Sequence, residues 1–381
     1  MAPQSRYRKA KKKQKKTIGT MTTPLTMTIG TPKPMPLLPI TSPTTLKLCQ
    51  TLPSQSSDIF ICSYPKSGTT WTQHIVLSLL LAASATKKNH NHHNNESSII
   101  ESYQHVSDYA PFYEVDAHWD FDEQNLIHDI QTRHAKLGRR VFNTHLRWDM
   151  LPQPLPHDST RSTKDNDVKQ NTGTLTCSSA AKYIYIMRSP LDVCVSFYHH
   201  LSNQIEGRYE DTFDQFYEDW LNGDIAFGSW VDHVLSFAPA LARNSENVLL
   251  LTYENLLNDL AGEVDRIAEF LGIDCNVSEA KRRSLLPTFA FDYMKSGDNL
   301  IKFQPKSVTW RDGFQFLRKG VSGDSALLVS DDQRASFCRV LKEARFEDCV
   351  SACFDGSVDD PLVCSTSTCS KDVILKFGMI T

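Results

Sequence analysis

Four short apolar runs, rich in β-branched and aromatic residues, punctuate the chain at 59–62, 141–144, 183–187 and 248–252. None alternates as a half-exposed strand does, so each predicts a strand buried on both faces of a parallel sheet. Between and after them, apolar positions recur at helical spacing over roughly 70–83, 190–203, 212–221, 229–244 and 254–271. Strands alternating with helices imply an α/β architecture, a central parallel sheet with helices on both faces. Ligands in such sheets bind beyond the carboxyl ends of the strands, so the residues just after each run are the first to inspect.

Two polar tracts interrupt the pattern and read as loop insertions, 87–98 (rich in Asn and His) and 156–179 (rich in Ser, Thr, Asp and Lys). His90, His92 and His93 fall in the first; with no partner spacing for a metal, they read as low-complexity expansion. Charge divides the chain further. The formal net charge is -3, yet residues 1–57 hold ten Lys and Arg and no acid, leaving 31 cations against 44 anions elsewhere. The organisation expected is a disordered basic arm over 1–57, a domain over 58–349, and a peripheral Ser/Cys/Asp-rich tail over 350–381. The arm could serve as a nuclear or organellar signal or be a solvated tail. The acidic body lacks any nucleic-acid module, so no nucleic-acid partner is expected of it.

The longest apolar stretch, 75–83, is far too short to span a bilayer, so no membrane partner is expected and the location expected is cytoplasmic. Ten cysteines are scattered without a C-x-x-C pair and read as reduced thiols.

The strongest local signal is Tyr64–Trp71, Y-P-K-S-G-T-T-W, between the first strand and the first helix. Gly68 lets the backbone approach a ligand, and the first free N–H groups of the helix point into that space. With the helix dipole behind them they favour a phosphate or sulfate, which Lys66 and the hydroxyls of Ser67, Thr69 and Thr70 would also bind. The nucleotide-binding P-loop puts its lysine after the last glycine, whereas Lys66 precedes Gly68. A second feature, R-S-P-L-D-V-C-V-S from Arg188 to Ser196, sets an arginine at a strand end and a hydroxyl on the next helix. A third, R-K-G-V-S-G-D from Arg318 to Asp324, could converge adjacent cations and exposed backbone on one anion. Together they offer two anion sites, as a doubly anionic nucleotide requires.

These three segments, in this order and at these separations, resemble the cytosolic sulfotransferases, which use 3′-phosphoadenosine 5′-phosphosulfate (PAPS); the resemblance covers about residues 58–325. It implies the P-loop-NTPase-like fold of that family. It assigns Lys66, Ser67, Gly68, Thr69, Thr70 and Trp71 to the 5′-phosphosulfate loop, Arg188 and Ser196 to the 3′-phosphate segment, and Arg318, Lys319 and Gly320 to the late nucleotide loop. Tyr253, Phe291 and Met294 match nucleotide-contacting positions. In F-N-T-H-L, His145 resembles the family's catalytic base, and in A-P-F-Y-E, Phe112 resembles an aromatic gate of the acceptor pocket. The chain departs from the pattern at Asn143, Arg147, Phe289, Ala290 and Ser325.

The implied reaction is in-line transfer of a sulfuryl group to a phenol, alcohol, steroid or amine. His145 would take the proton, Lys66 would stabilise the leaving oxygen, Ser196 would restrain Lys66, and no metal is needed. A P-loop phosphotransferase and a non-catalytic nucleotide-binding protein are the competing readings.

Overall fold

The computed structural model describes residues 34–88, 103–119, 137–152, 181–243, 246–344 and 346. Residues 1–33, the histidines at 90, 92 and 93, the tract 156–179 and the tail 350–381 lie outside these.

Four strands, β1 (Ile59–Cys62), β2 (Val141–Thr144), β3 (Lys182–Met187) and β4 (Val248–Thr252), form one parallel sheet in the order β2-β1-β3-β4. The register pairs Ile59 with Val141 and Lys182, and Tyr183 with Val248. The first strand therefore sits inside the sheet, and the Tyr64–Trp71 turn emerges from its middle. The helices are α1 (Pro43–Thr51), α2 (Thr69–Lys88), α3 (Asp116–Trp119), α4 (Pro190–Leu201), α5 (Phe213–Leu221) and α6 (Trp230–Arg243). They continue with α7 (Tyr253–Asn258), α8 (Leu260–Phe270), α9 (Glu279–Phe289), α10 (Phe291–Lys295) and α11 (Asp331–Glu343).

Both faces of the sheet are covered, as the unbroken apolar runs require. Ile59, Ile61, Ile184 and Ile186 point to one side with Ile75, Leu79, Val264 and Ile267 of α2 and α8. Phe60, Cys62, Tyr183 and Tyr185 point to the other, with Phe197, Phe216, Trp220 and Phe237 of α4, α5 and α6. Phe60 stacks on Phe142 at 4.9 Å and on Tyr183 at 5.1 Å, an aromatic row across three strands. Each such ring, fully buried, contributes about 1.5–3 kcal/mol through apolar burial.

Two sequence expectations are corrected. The pattern at 254–271 forms two helices, because Asp259 leaves helical geometry and caps α8 by accepting a hydrogen bond from Gly262 N. The arm expected to be disordered to residue 57 is ordered well before it. Ser42 caps α1 by accepting from Thr45 N, Pro43 starts the helix, and Thr45 and Cys49 bury one face. Cys49 and Tyr113 then lock α1 to the domain, since Tyr113 Oη donates to Cys49 O (2.7 Å) and Cys49 Sγ to Tyr113 O (3.1 Å). Leu37 and Leu38 pack on the core ahead of α1, and Phe227 N donates to Pro36 O. Apolar burial outweighs the Thr/Pro-rich composition here.

Candidate active site

The carboxyl ends of all four strands open on one cavity of about 380 Å³. His145 directly follows β2, Arg188 directly follows β3, Tyr253 directly follows β4, and Lys66 lies in the turn after β1. Arg318, Lys319 and Gly320 complete the same wall. The three sequence segments converge on one cavity, as a single nucleotide spanning them requires.

The Lys66 turn is strained and crowded. Lys66 has φ +70°, a left-handed conformation that costs a non-glycine residue of the order of 1 kcal/mol. Gly68 has φ +109°, and a Cβ there would meet Ile186 Cδ1 and Tyr253 Cδ2 at 3.0 Å. The first backbone bond of α2 runs from Thr72 N to Gly68 O, which leaves the N–H groups of Thr69, Thr70 and Trp71 without intrahelical acceptors. Ser67 Oγ, Trp71 Nε1 and Arg188 Nε are buried without partners. Orphaned donors beside exposed backbone amides are what a phosphate or sulfate satisfies, so these residues fit an anionic cofactor.

Arg188 lies with its guanidinium 4.4 Å from the Tyr253 ring and donates to Lys66 O (3.3 Å) and Val321 O (2.9 Å). Burial, followed by the charges of Arg188 and Arg318, pushes the Lys66 ammonium down to about 7. Arg318 and Lys319 are differently placed: both are paired to the Asp324 carboxylate, a partner outside the sequence-based expectation that they meet an anion together. Gly320, at φ +68°, has the Phe291 ring against its backbone, where any Cβ would overlap it. Met294 is buried, and it lines the cavity with Phe291, Ser196 and Thr70.

His145 is fixed at the opposite end. Its Nδ1 lies 2.8 Å from Ser63 O, which can only accept, so Nδ1 carries the proton and Nε2 keeps its lone pair. Its ring packs against Phe112 at 5.3 Å and Phe227 at 5.2 Å. Burial lowers its pKa to about 4, so it is neutral at physiological pH. Two residues passed over in the sequence hold its backbone: Glu114 Oε1 accepts from His145 N (2.7 Å), and His233 Nε2 donates to His145 O (3.1 Å). Burial pushes the Glu114 carboxyl up to about 7. Leu38, Ile40, Phe112, Val115, Phe227 and Phe316 give this end an apolar lining.

One carried-over contact differs. Lys66 Nζ meets His200 Nδ1 at 3.2 Å, one helical turn beyond Ser196, and does not bond Ser196. The signal was present in the run ending F-Y-H-H, where His200 sits four residues after Ser196 on the same helix face. Phe227, at φ +68°, carried no comparable signal.

A family model described as the sulfotransferase domain matches residues 56–161 and 171–347. The chain is 31% identical over 310 residues to sulfotransferase 2B1 of Mus musculus, covering 79% of this chain and 75% of that one. It is 30% identical over 294 residues to luciferin sulfotransferase of Photinus pyralis, covering 72% and 67%. Two solved structures share the fold. One is mouse sulfotransferase SULT7A1 complexed with PAP (TM-score 0.54, 24% identity, 84% of this chain and 94% of that one). The other is retinol dehydratase with retinol and PAP (TM-score 0.55, 21% identity, 80% and 86%).

Proposed function

The chain belongs to the sulfotransferase family, and on that premise we propose that it transfers the sulfuryl group of PAPS to a hydroxyl of an apolar small acceptor, with His145 as base. The observation that carries this reading is the cavity itself, with orphaned anion donors at one end and a neutral histidine in an apolar chamber at the other.

PAPS supplies a sulfuryl group activated by its phosphosulfate anhydride. Arg188, Arg318 and Lys319 would bind one anionic end, and the amides of Thr69–Trp71 with Ser67 the other. Lys66 is placed to meet negative charge growing on the leaving oxygen. His145 Nε2 accepts the acceptor proton, which a histidine pKa near 4 allows throughout the neutral range. Phe112 and Phe227 flank the imidazole and exclude water from the proton-accepting nitrogen.

The relatives named above include a luciferin sulfotransferase, and others are named as hydroxysteroid sulfotransferases of Cavia porcellus. An acceptor of that apolar class suits the lining here. A hydroxyl is favoured over an amine, because the one carboxyl facing the acceptor end among the described residues is Glu114, whose raised pKa weakens it as a counter-ion. The test is transfer of labelled sulfate from PAPS across phenols, sterols and amines. Turnover of sterols or phenols that disappears in His145→Ala supports the proposal; transfer to amines alone would refute the acceptor class.

A further inference from the structure

Lys66 is short of partners. Arg188 and Arg318 are its nearest charges and both repel it, and no carboxylate contacts it. Its ammonium meets the Phe316 ring face at 4.6 Å and His200 Nδ1 at 3.2 Å. An ammonium can only donate, so His200 Nδ1 must present a lone pair and the ring must be neutral. Burial and the neighbouring Lys66 and His145 charges hold it so. The ring cannot easily swing away, because Trp310 (4.9 Å), Phe316 (6.0 Å) and Phe314 (6.5 Å) surround it. His200 also lines the cavity toward the acceptor end, beside Gln204 and Phe316.

We propose that His200 is the positioning residue for Lys66 in this chain, accepting its proton donor in the free enzyme and holding it off the leaving oxygen until an acceptor is seated. The inference rests on the PAPS reading above. Its functional meaning is protection of the donor. In the wasteful reaction a water oxygen bonds to sulfur, the S–O bond to the phosphate breaks with its electron pair left on that oxygen, and water gives up a proton, yielding sulfate and PAP. A lysine free to reach the leaving oxygen would promote this without an acceptor. An acceptor packed against the His200 ring competes for Nδ1 and releases the ammonium when transfer, not hydrolysis, is possible.

The test uses full-length protein with His200→Phe, which fills the same aromatic nest without a lone pair, and His200→Asn, which keeps an acceptor near Nδ1. His200→Leu repeats the removal should the phenylalanine variant not fold. Titration with PAP should show His200→Phe binding about fivefold tighter than wild type, because one hydrogen bond to a charged group no longer has to be broken. Acceptor-free PAPS hydrolysis relative to transfer should rise about tenfold on the same arithmetic, and His200→Asn should restore both. Unchanged binding and hydrolysis in His200→Phe, failure of His200→Asn to rescue, or a rise in hydrolysis in Ser196→Ala alone would overturn the proposal. Wild-type protein that binds no PAP would defeat the cofactor reading and this inference together, whereas intact wild-type binding with unmoved His200 variants defeats the inference alone.

Discussion

The two ends of the cavity treat charge in opposite ways. At the nucleotide end, three cations face one another and only some are neutralised. Asp324 already pairs with Arg318 and Lys319, while Lys66 keeps a charge so poorly supported that its pKa falls to about 7. At the acceptor end, titratable groups are pressed into their neutral forms by burial, His145 downward and Glu114 upward. One end stores unsatisfied positive charge for an anion; the other removes charge so that a base can act among aromatic rings. Binding and chemistry are therefore separable by mutation.

The largest expected effect tests that separation directly. His145→Ala should lower kcat by about 10²–10⁴-fold, the usual worth of a general base, while PAP affinity measured by calorimetry stays at the wild-type value. Loss of both would mean the ends are not independent.

The pH profile sharpens the comparison, because the ends titrate in opposite senses. His145 must be unprotonated to accept and Lys66 must be protonated to stabilise the leaving oxygen. The kcat/KM should thus fall about tenfold per pH unit below about 4 and again above about 7, where the free enzyme loses the ammonium. A profile flat from pH 7 to 9 would show that Lys66 keeps its proton.

Phe112→Ala removes one wall of the acceptor end. A rise of about five- to tenfold in acceptor KM is expected from lost apolar contact, with PAP binding unmoved. The smallest effect is reserved for Asp324→Asn. With the competing carboxylate neutralised, Arg318 and Lys319 are free for a phosphate, and PAP should bind about threefold tighter at low salt. Weaker binding would assign Asp324 the role of holding those side chains in place.

Much of the nucleotide end was legible because its chemistry is local. Strand, turn and helix N-terminus adjoin in sequence from Ile59 to Trp71, and Arg188 and Tyr253 immediately follow strands that apolar runs mark clearly. The acceptor end was less legible because it is assembled across the chain. Phe227 acquires its role by packing on His145, and His233 by reaching His145 O from a distant helix, neither of which periodicity records. Residues 35–51 were misread for the same reason: their order comes from Tyr113 and Phe227, not from local composition. Ser196 and His200 share a helix face, so the resemblance to relatives selected one while the geometry selects the other.

The central claim is that separate chain segments supply one nucleotide site, and titration calorimetry of PAP against wild type and Arg188→Ala tests it most directly. Wild type should bind one equivalent at micromolar concentration, and Arg188→Ala should weaken it by roughly 10–100-fold, the worth of charge-assisted hydrogen bonds to phosphate. Binding that is absent in wild type, or indifferent to the loss of Arg188, would contradict the account.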